Sequence, residues 1–160
     1  MKKTIRLAIL GTLALSGLQA ADLILEPSAD GTQSQAQLQL RLAAEQETAA
    51  GLQFDLEYDD SLVKVEVLPG TVAALAEKVV QSASPSPGRL RILVIGFNQN
   101  VITNGVVALV RVSPKGETSS SPSTKVRLAG TTATDRSGAD LELVARGEEQ
   151  IVQAVEKQNN

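Results

Sequence analysis

The chain has 160 residues, a formal charge of −3 with intermixed signs, 42% hydrophobic residues and only 2% aromatics. It contains no Cys and no His, which excludes disulfide staples, thiol or imidazole catalysis and zinc-type metal sites. No stripe of clustered Lys and Arg is present, so a nucleic-acid partner is not expected.

The chain opens Met1-Lys-Lys-Thr-Ile-Arg6, continues through an apolar run from Leu7 to Leu18 and reaches Leu18-Gln19-Ala20. A basic start, a short apolar stretch and a small residue form the layout of a secretory signal peptide. Residues 1–20 are therefore expected to direct export, with cleavage after Ala20; an uncleaved N-terminal anchor is the other outcome. The run falls short of the roughly 20 apolar residues that a membrane span needs, and no later segment is long enough. No Cys follows it to carry a lipid. Residues 21–147 then read as one domain, and residues 148–160 as a polar C-terminal tail.

Strand signals recur at short spacing. Leu23-Ile-Leu25 is a short first strand stopped by Pro27, with a turn at Pro27-Ser-Ala-Asp-Gly31. Residues 36–42 alternate, with Ala36, Leu38, Leu40 and Leu42 inward and Gln37, Gln39 and Arg41 outward. Residues 52–58 alternate strictly: Leu52, Phe54, Leu56 and Tyr58 on one face, Gln53, Asp55 and Glu57 on the other. An Asp-Asp-Ser turn leads to a second alternating run over residues 63–68. One apolar and one polar face mark an antiparallel sheet buried on one side only. Residues 71–80 carry mixed spacing and read as a loop or single helical turn, then a short edge strand closed by Ser84-Pro-Ser-Pro-Gly88. Residues 89–97 and 105–112 are further strands, joined by Asn98-Gln-Asn-Val-Ile-Thr-Asn104. Residues 115–123 form a Gly, Ser and Pro loop. Residues 125–128 and 140–144 are the last strands, linked by Thr134-Asp-Arg-Ser-Gly138. After Gly147 the chain is polar and glutamate-rich, and a frayed, solvated tail is expected although Ile151 and Val155 have helical spacing. Eight or nine short strands without a long helix predict an all-β sandwich of Greek-key or jelly-roll type.

Several segments, in order, resemble one family. Ala50-Gly-Leu-Gln-Phe-Asp-Leu-Glu-Tyr-Asp59 is similar to the third-strand motif of cohesin domains. Pro87-Gly-Arg-Leu-Arg-Ile-Leu-Val-Ile-Gly96 resembles the cohesin sixth strand, and Asn104-Gly-Val-Val-Ala-Leu-Val-Arg-Val112 the seventh. Residues 126–140 resemble the eighth strand and the loop after it. The likeness spans residues 23–144, and the ordered set carries it rather than any single motif. It implies a nine-stranded jelly-roll β-sandwich without enzymatic activity, in which the face of strands eight, three, six and five binds a dockerin-type protein module. It also implies a setting in extracellular polysaccharide breakdown. The chain departs from the family in having Asp60 where Pro often follows Tyr-Asp, and in showing a single module with no scaffold linker.

The candidate site lies on the third and sixth strands. With Leu90, Ile92 and Val94 inward, Arg91, Leu93 and Ile95 point outward by period two. Leu93 and Ile95 then form an apolar patch rimmed by Arg91, Gln53, Asp55 and Glu57, which is how a protein interaction surface looks. The plainer alternative is a central strand covered on both faces. Gln53 aligns with a position that contacts dockerin in cohesins. Asp55 and Glu57 are paired acids, but glycoside hydrolysis needs a cleft with two facing carboxyls, which a flat sheet does not offer. Carbohydrate binding is the first alternative, with Phe97, Asn98 and Asn100 as its residues; the shortage of aromatic platforms weighs against it. A structural subunit of an envelope or filament is the second alternative. No cofactor is expected. Asp59, Asp60, Asp135 and Asp140 lie near turns, where carboxylates cap backbone N–H groups more often than they ligate calcium, the one ion left open.

Overall fold

A computed structural model describes residues 20–28, 38–46, 48–116 and 122–154. The signal-peptide expectation for residues 1–20, the far part of the first turn, most of the 115–123 loop and the last six residues lie almost wholly outside them.

Ten strands and one helical turn follow one another as β1 (Ala20–Pro27), β2 (Leu38–Ala44), β3 (Gly51–Glu57), β4 (Val63–Pro69), α1 (Thr71–Leu75), β5 (Val79–Ser86), β6 (Arg89–Ile95), β7 (Gly105–Pro114), β8 (Ser123–Thr134), β9 (Asp140–Arg146) and β10 (Glu149–Gln153). Hydrogen bonding runs β4-β7-β2-β1-β9-β8-β3-β6-β5, with β10 also on β8. The sheet folds over where β8 passes to β9, through the short pairing of Ala133 with Leu141 and Thr134 with Asp140. The result is a β-sandwich, all antiparallel except for β1 against β9.

The alternation read from sequence sets which side chains meet. Leu52, Phe54 and Leu56 of β3 face inward against Val94, Ile92 and Leu90 of β6, all buried. Leu38, Leu40 and Leu42 of β2 and Leu23 and Leu25 of β1 close the core from the opposite layer. The core is almost entirely aliphatic, and Phe54 is its largest fully buried side chain. Such a core coheres through dense aliphatic packing without a disulfide. Tyr58 is half-buried at its edge.

Residues 71–86 resolve the mixed spacing as one turn of helix followed by an edge strand. That strand runs on through Pro85, because proline is tolerated where no neighbour needs its N–H. Gly88 closes the β5–β6 hairpin with φ +72, and a Cβ there would meet the Tyr58 carbonyl oxygen at 2.6 Å.

The expected nine strands become ten, and the tail after Gly147 is the reason. Residues 149–153 form neither a frayed end nor a helix but an antiparallel strand on the first half of β8, from Glu149 opposite Arg127 to Gln153 opposite Ser123. Gly147 makes this possible: its φ of +61 turns the chain, and its missing Cβ leaves room for the Leu25 carbonyl, which would otherwise lie 2.2 Å away. The strand is anchored by Leu128 N–H donating to the Glu148 carbonyl (2.7 Å) and Ala154 N–H donating to the Pro122 carbonyl (2.9 Å). Val152 and Ala154 are buried. Removing residues 148–160 is therefore expected to lower Tm by about 5 °C or more, since lost apolar burial and an uncovered β8 edge together amount to roughly 2 kcal/mol. A calorimetric scan showing an unchanged Tm would restore the solvated-tail description.

Candidate functional site

The outer face of the β8-β3-β6-β5 layer carries every partner-binding residue read from the sequence. The registers set them in rows. Thr132, Gln53, Leu93 and Gln81 lie side by side across the four strands. The next row holds Ala129, Asp55, Arg91 and Ala83, and the one after it Arg127, Glu57, Arg89 and Ser86. At the other end, Ile95 of β6 pairs with Val79 of β5. Leu93 is half-buried, whereas Ile95 is 43% and Val79 55% exposed. Among the described residues none covers the outer side of the sixth strand at Ile95. A shallow depression lined by Gly51, Gln53, Leu93, Ile95, Thr132 and Thr134 adjoins it.

Asp55 departs from expectation. It does point to the outer face, but its side chain has 0% exposure. Two arginines spaced two residues apart on β6 close over it. Arg89 donates from Nε to Oδ2 at 2.7 Å and also from Nη2. Arg91 donates from Nε to Oδ1 at 2.9 Å and from Nη2 to Oδ2 at 3.1 Å. Both guanidiniums stay about two-fifths exposed, at 39% and 41%. The β8 backbone makes room for the cluster. Its register shifts opposite β3 between Gln53 and Asp55, and Gly130 at that bulge has φ +56, where an added Cβ would stand 3.1 Å from the Asp55 Oδ2. Asp55 is therefore not a rim group open to a partner. It is the internal counter-charge that fixes Arg89 and Arg91 flat against the sheet.

The remaining rim is solvated. Arg127 lies 3.7 Å from Glu57, and Lys125 pairs with Glu149 at 2.9 Å, so β10 adds an acid that the tail reading had left in solvent. Such exposed pairs contribute little stability. Val79 and Gln81 of β5 and Thr132 and Thr134 of β8 belong to the face but escaped the sequence reading. Period two assigns a residue to a face without saying which strands lie beside it; only the pairing of β5 with β6 and β8 with β3 does that.

The carbohydrate residues are placed differently. Phe97 is fully exposed beyond the end of β6. The Asn98 and Asn100 side chains, however, are engaged within the protein. Lys78 is buried and donates from Nζ to the Asn98 carbonyl (3.0 Å) and to Asn98 Oδ1 (2.8 Å); burial lowers its pKa. Asn98 Nδ2 donates to the Ala76 and Glu77 carbonyls, and Asn100 Nδ2 donates to Ala76 as well. These amides tie the loop to the turn after α1, where Glu77 adopts φ +55. Two of the four turn carboxylates, Asp59 and Asp135, are internal caps. Asp59 Oδ1 accepts the Ser61 N–H at 3.0 Å. Asp135 Oδ1 accepts the Ser137 hydroxyl (2.7 Å), the Ser137 N–H (2.8 Å) and the Ala139 N–H (2.9 Å). Hydrogen bonds from Ser61 and Ser137 hold the two carboxyls below the usual range. Among the described residues no three His, Cys, Asp or Glu side chains converge on a metal position, and no helix is long and apolar enough to cross a membrane.

Two outcomes follow from this geometry. Hydrogen bonds from Arg91, then Arg89, hold the Asp55 carboxyl below its ordinary value, against the opposing effect of burial. A folded-state value below the unfolded one means that the cluster stabilises the protein above the ordinary carboxylate range and loses that contribution as pH falls through the folded value. Asp55→Asn is expected to cost about 3 kcal/mol in urea unfolding at neutral pH, because it leaves two arginine donor sets facing an amide. The difference from wild type should shrink toward pH 2; a constant difference would detach the cost from the charge. Asn98→Ala is expected to cost about 2 kcal/mol by removing one of the two acceptors of the buried Lys78 ammonium and the amide's own bonds to the Ala76 and Glu77 carbonyls, whereas an Asn98 serving only an external ligand would leave stability unchanged.

The cohesin domain family model matches residues 27–148 of the chain. Solved structures similar to it include the cohesin of a type I cohesin–dockerin complex from Clostridium thermocellum, Coh-OlpC with Doc435. That structure is 15% identical, with TM-score 0.64, covering 86% of this chain and 96% of that one. A non-cellulosomal cohesin from the hyperthermophilic archaeon Archaeoglobus fulgidus is 14% identical, with TM-score 0.59 and coverages of 87% and 94%. A cohesin module from a Clostridium perfringens family 33 glycoside hydrolase is 17% identical, with TM-score 0.56 and coverages of 88% and 98%. No curated protein sequence matches the chain.

Proposed function

Because the chain belongs to the cohesin domain family, we propose that it recognises a protein module through the outer face of β3 and β6 with their neighbours β5 and β8. Cohesin domains are non-catalytic interaction modules, and the chain is not an enzyme. One observation carries the choice of face. Exposed Ile95 and Val79, with half-buried Leu93 between them and the charged row, form an apolar strip beside two arginines whose orientation is already set from within by Asp55. Apolar area flanked by prearranged polar groups binds well, because little side-chain freedom remains to be lost on association. The partner meets Gln53, Glu57, Arg91, Leu93 and Ile95 directly, and Asp55 acts only through Arg89 and Arg91.

A dockerin-like module is the partner class to try first, since relatives of the same fold are seen bound to dockerins. Residues 1–20 serve as an export signal on this reading, and the module works outside the cytoplasm, in extracellular polysaccharide breakdown if the biology follows the cellulosomal members. Carbohydrate binding at Phe97, Asn98 and Asn100 gains no support from the geometry, since both amides are held internally.

Capture from the source organism's secreted proteins, followed by calorimetric titration of the identified partner, tests the face. Leu93→Asp and Ile95→Asp are each expected to weaken binding by roughly 30-fold or more, the scale of a central interface residue, with thermal unfolding barely moved. Equal affinity for both variants would sink the proposed face.

A further inference from the structure

We propose that two copies of the chain pair edge to edge through β5, joining their sandwiches into one continuous sheet. β5 ends the hydrogen-bonded path and pairs only with β6. Among the described residues, no backbone hydrogen bond joins residues 79–86 to any other strand. All of β5 except Val80 is exposed. Exposed edges are templates for further pairing, and natural sheets blunt them with charges, prolines, bulges or short strands. The opposite end of the path follows that rule, because β4 carries Lys64 and Glu66 and ends at Pro69. β10 carries Glu149. β5, reading VVQSASPS, carries no charge at all. Its two blunting devices, Pro85 and the register shift between Ala83 and Ser86, both lie in its far half. Residues 79–83 remain a regular, uncharged edge in unbroken register with β6.

A second copy fits this edge by symmetry. An antiparallel pairing about a two-fold axis at Gln81 sets Val79 of each copy opposite Ala83 of the other, and no like charges meet. Every side chain at the seam is small or flexible. The axis stands perpendicular to the sheet, so Leu93, Ile95 and Arg91 of both copies face the same way. Such a pair presents two recognition faces side by side, which raises the avidity for a partner carrying two docking segments. The inference is independent of which partner the face binds.

The experiment is sedimentation velocity of the purified protein over a wide concentration range, with hydrogen exchange followed at residues 79–83. The mass is expected to rise from one copy to two, with the amides of 79–83 gaining protection. Gln81 is exposed, so Gln81→Lys and Gln81→Glu leave the fold intact. Each alone places like charges on the axis and is expected to weaken pairing by about tenfold, and an equimolar mixture of the two should restore it. A wild-type protein that stays monomeric to millimolar concentration overturns the proposal, including the case in which β5 serves a foreign strand instead. So does a dimer that leaves residues 79–83 unprotected or ignores the charge swap.

Discussion

The outer face of this sandwich is organised around one carboxylate, that of Asp55, which two arginines of the neighbouring strand seal from water. Taking a carboxylate out of water costs several kcal/mol, and the cost is met only when donors fill its lone pairs. Here the Nε and Nη2 groups of Arg89 and Arg91 supply those donors, and the Gly130 bulge of β8 supplies the room. One interaction therefore engages β3, β6 and β8 at once. It aligns three strands of this layer and flattens two long cationic side chains that would otherwise sample many rotamers. The buried cluster orients the two arginines, and beside it lie exposed Ile95 and Val79 and half-buried Leu93.

The two ends of the hydrogen-bonded path differ in the same physical terms. The β4 end is protected by charge and proline. The β5 end is uncharged over residues 79–83 and lies next to the apolar strip. The far flank, along β8, is covered by β10, which adds Glu149 opposite Arg127 and pairs it with Lys125. Among the described residues, the outer face of the β8-β3-β6-β5 layer thus has a salt-linked border on one side and an open backbone edge on the other.

Much of this was legible in the chain itself. The strict alternation of residues 52–57 placed Leu52, Phe54 and Leu56 in the core and Gln53 and Glu57 outside. The same rule put Leu90, Ile92 and Val94 inward and left Ile95 exposed and Leu93 half-buried on the outer face. The edge strand after the 71–75 turn was readable because its apolar content is low and its prolines cluster at one end. β10 was not. Five residues between glutamates carry too little periodicity, and the inward set Gln150, Val152 and Ala154 acquires meaning only once β8 is beside it. The roles of Asn98 and Asn100 were equally hidden, because the groups they bond, the Lys78 ammonium and the Ala76 carbonyl, lie twenty or more positions away in the chain.

By itself the sequence determined the fold class, the identity of the core face and the exclusion of imidazole and thiol chemistry, since side-chain period and composition are local properties. Tertiary structure alone decided that Asp55 is buried on an outward face and that the tail becomes a strand. Those outcomes depend on which strands lie side by side. An alternating pattern states whether a side chain points in or out; only the neighbouring strands determine whether the outside is water.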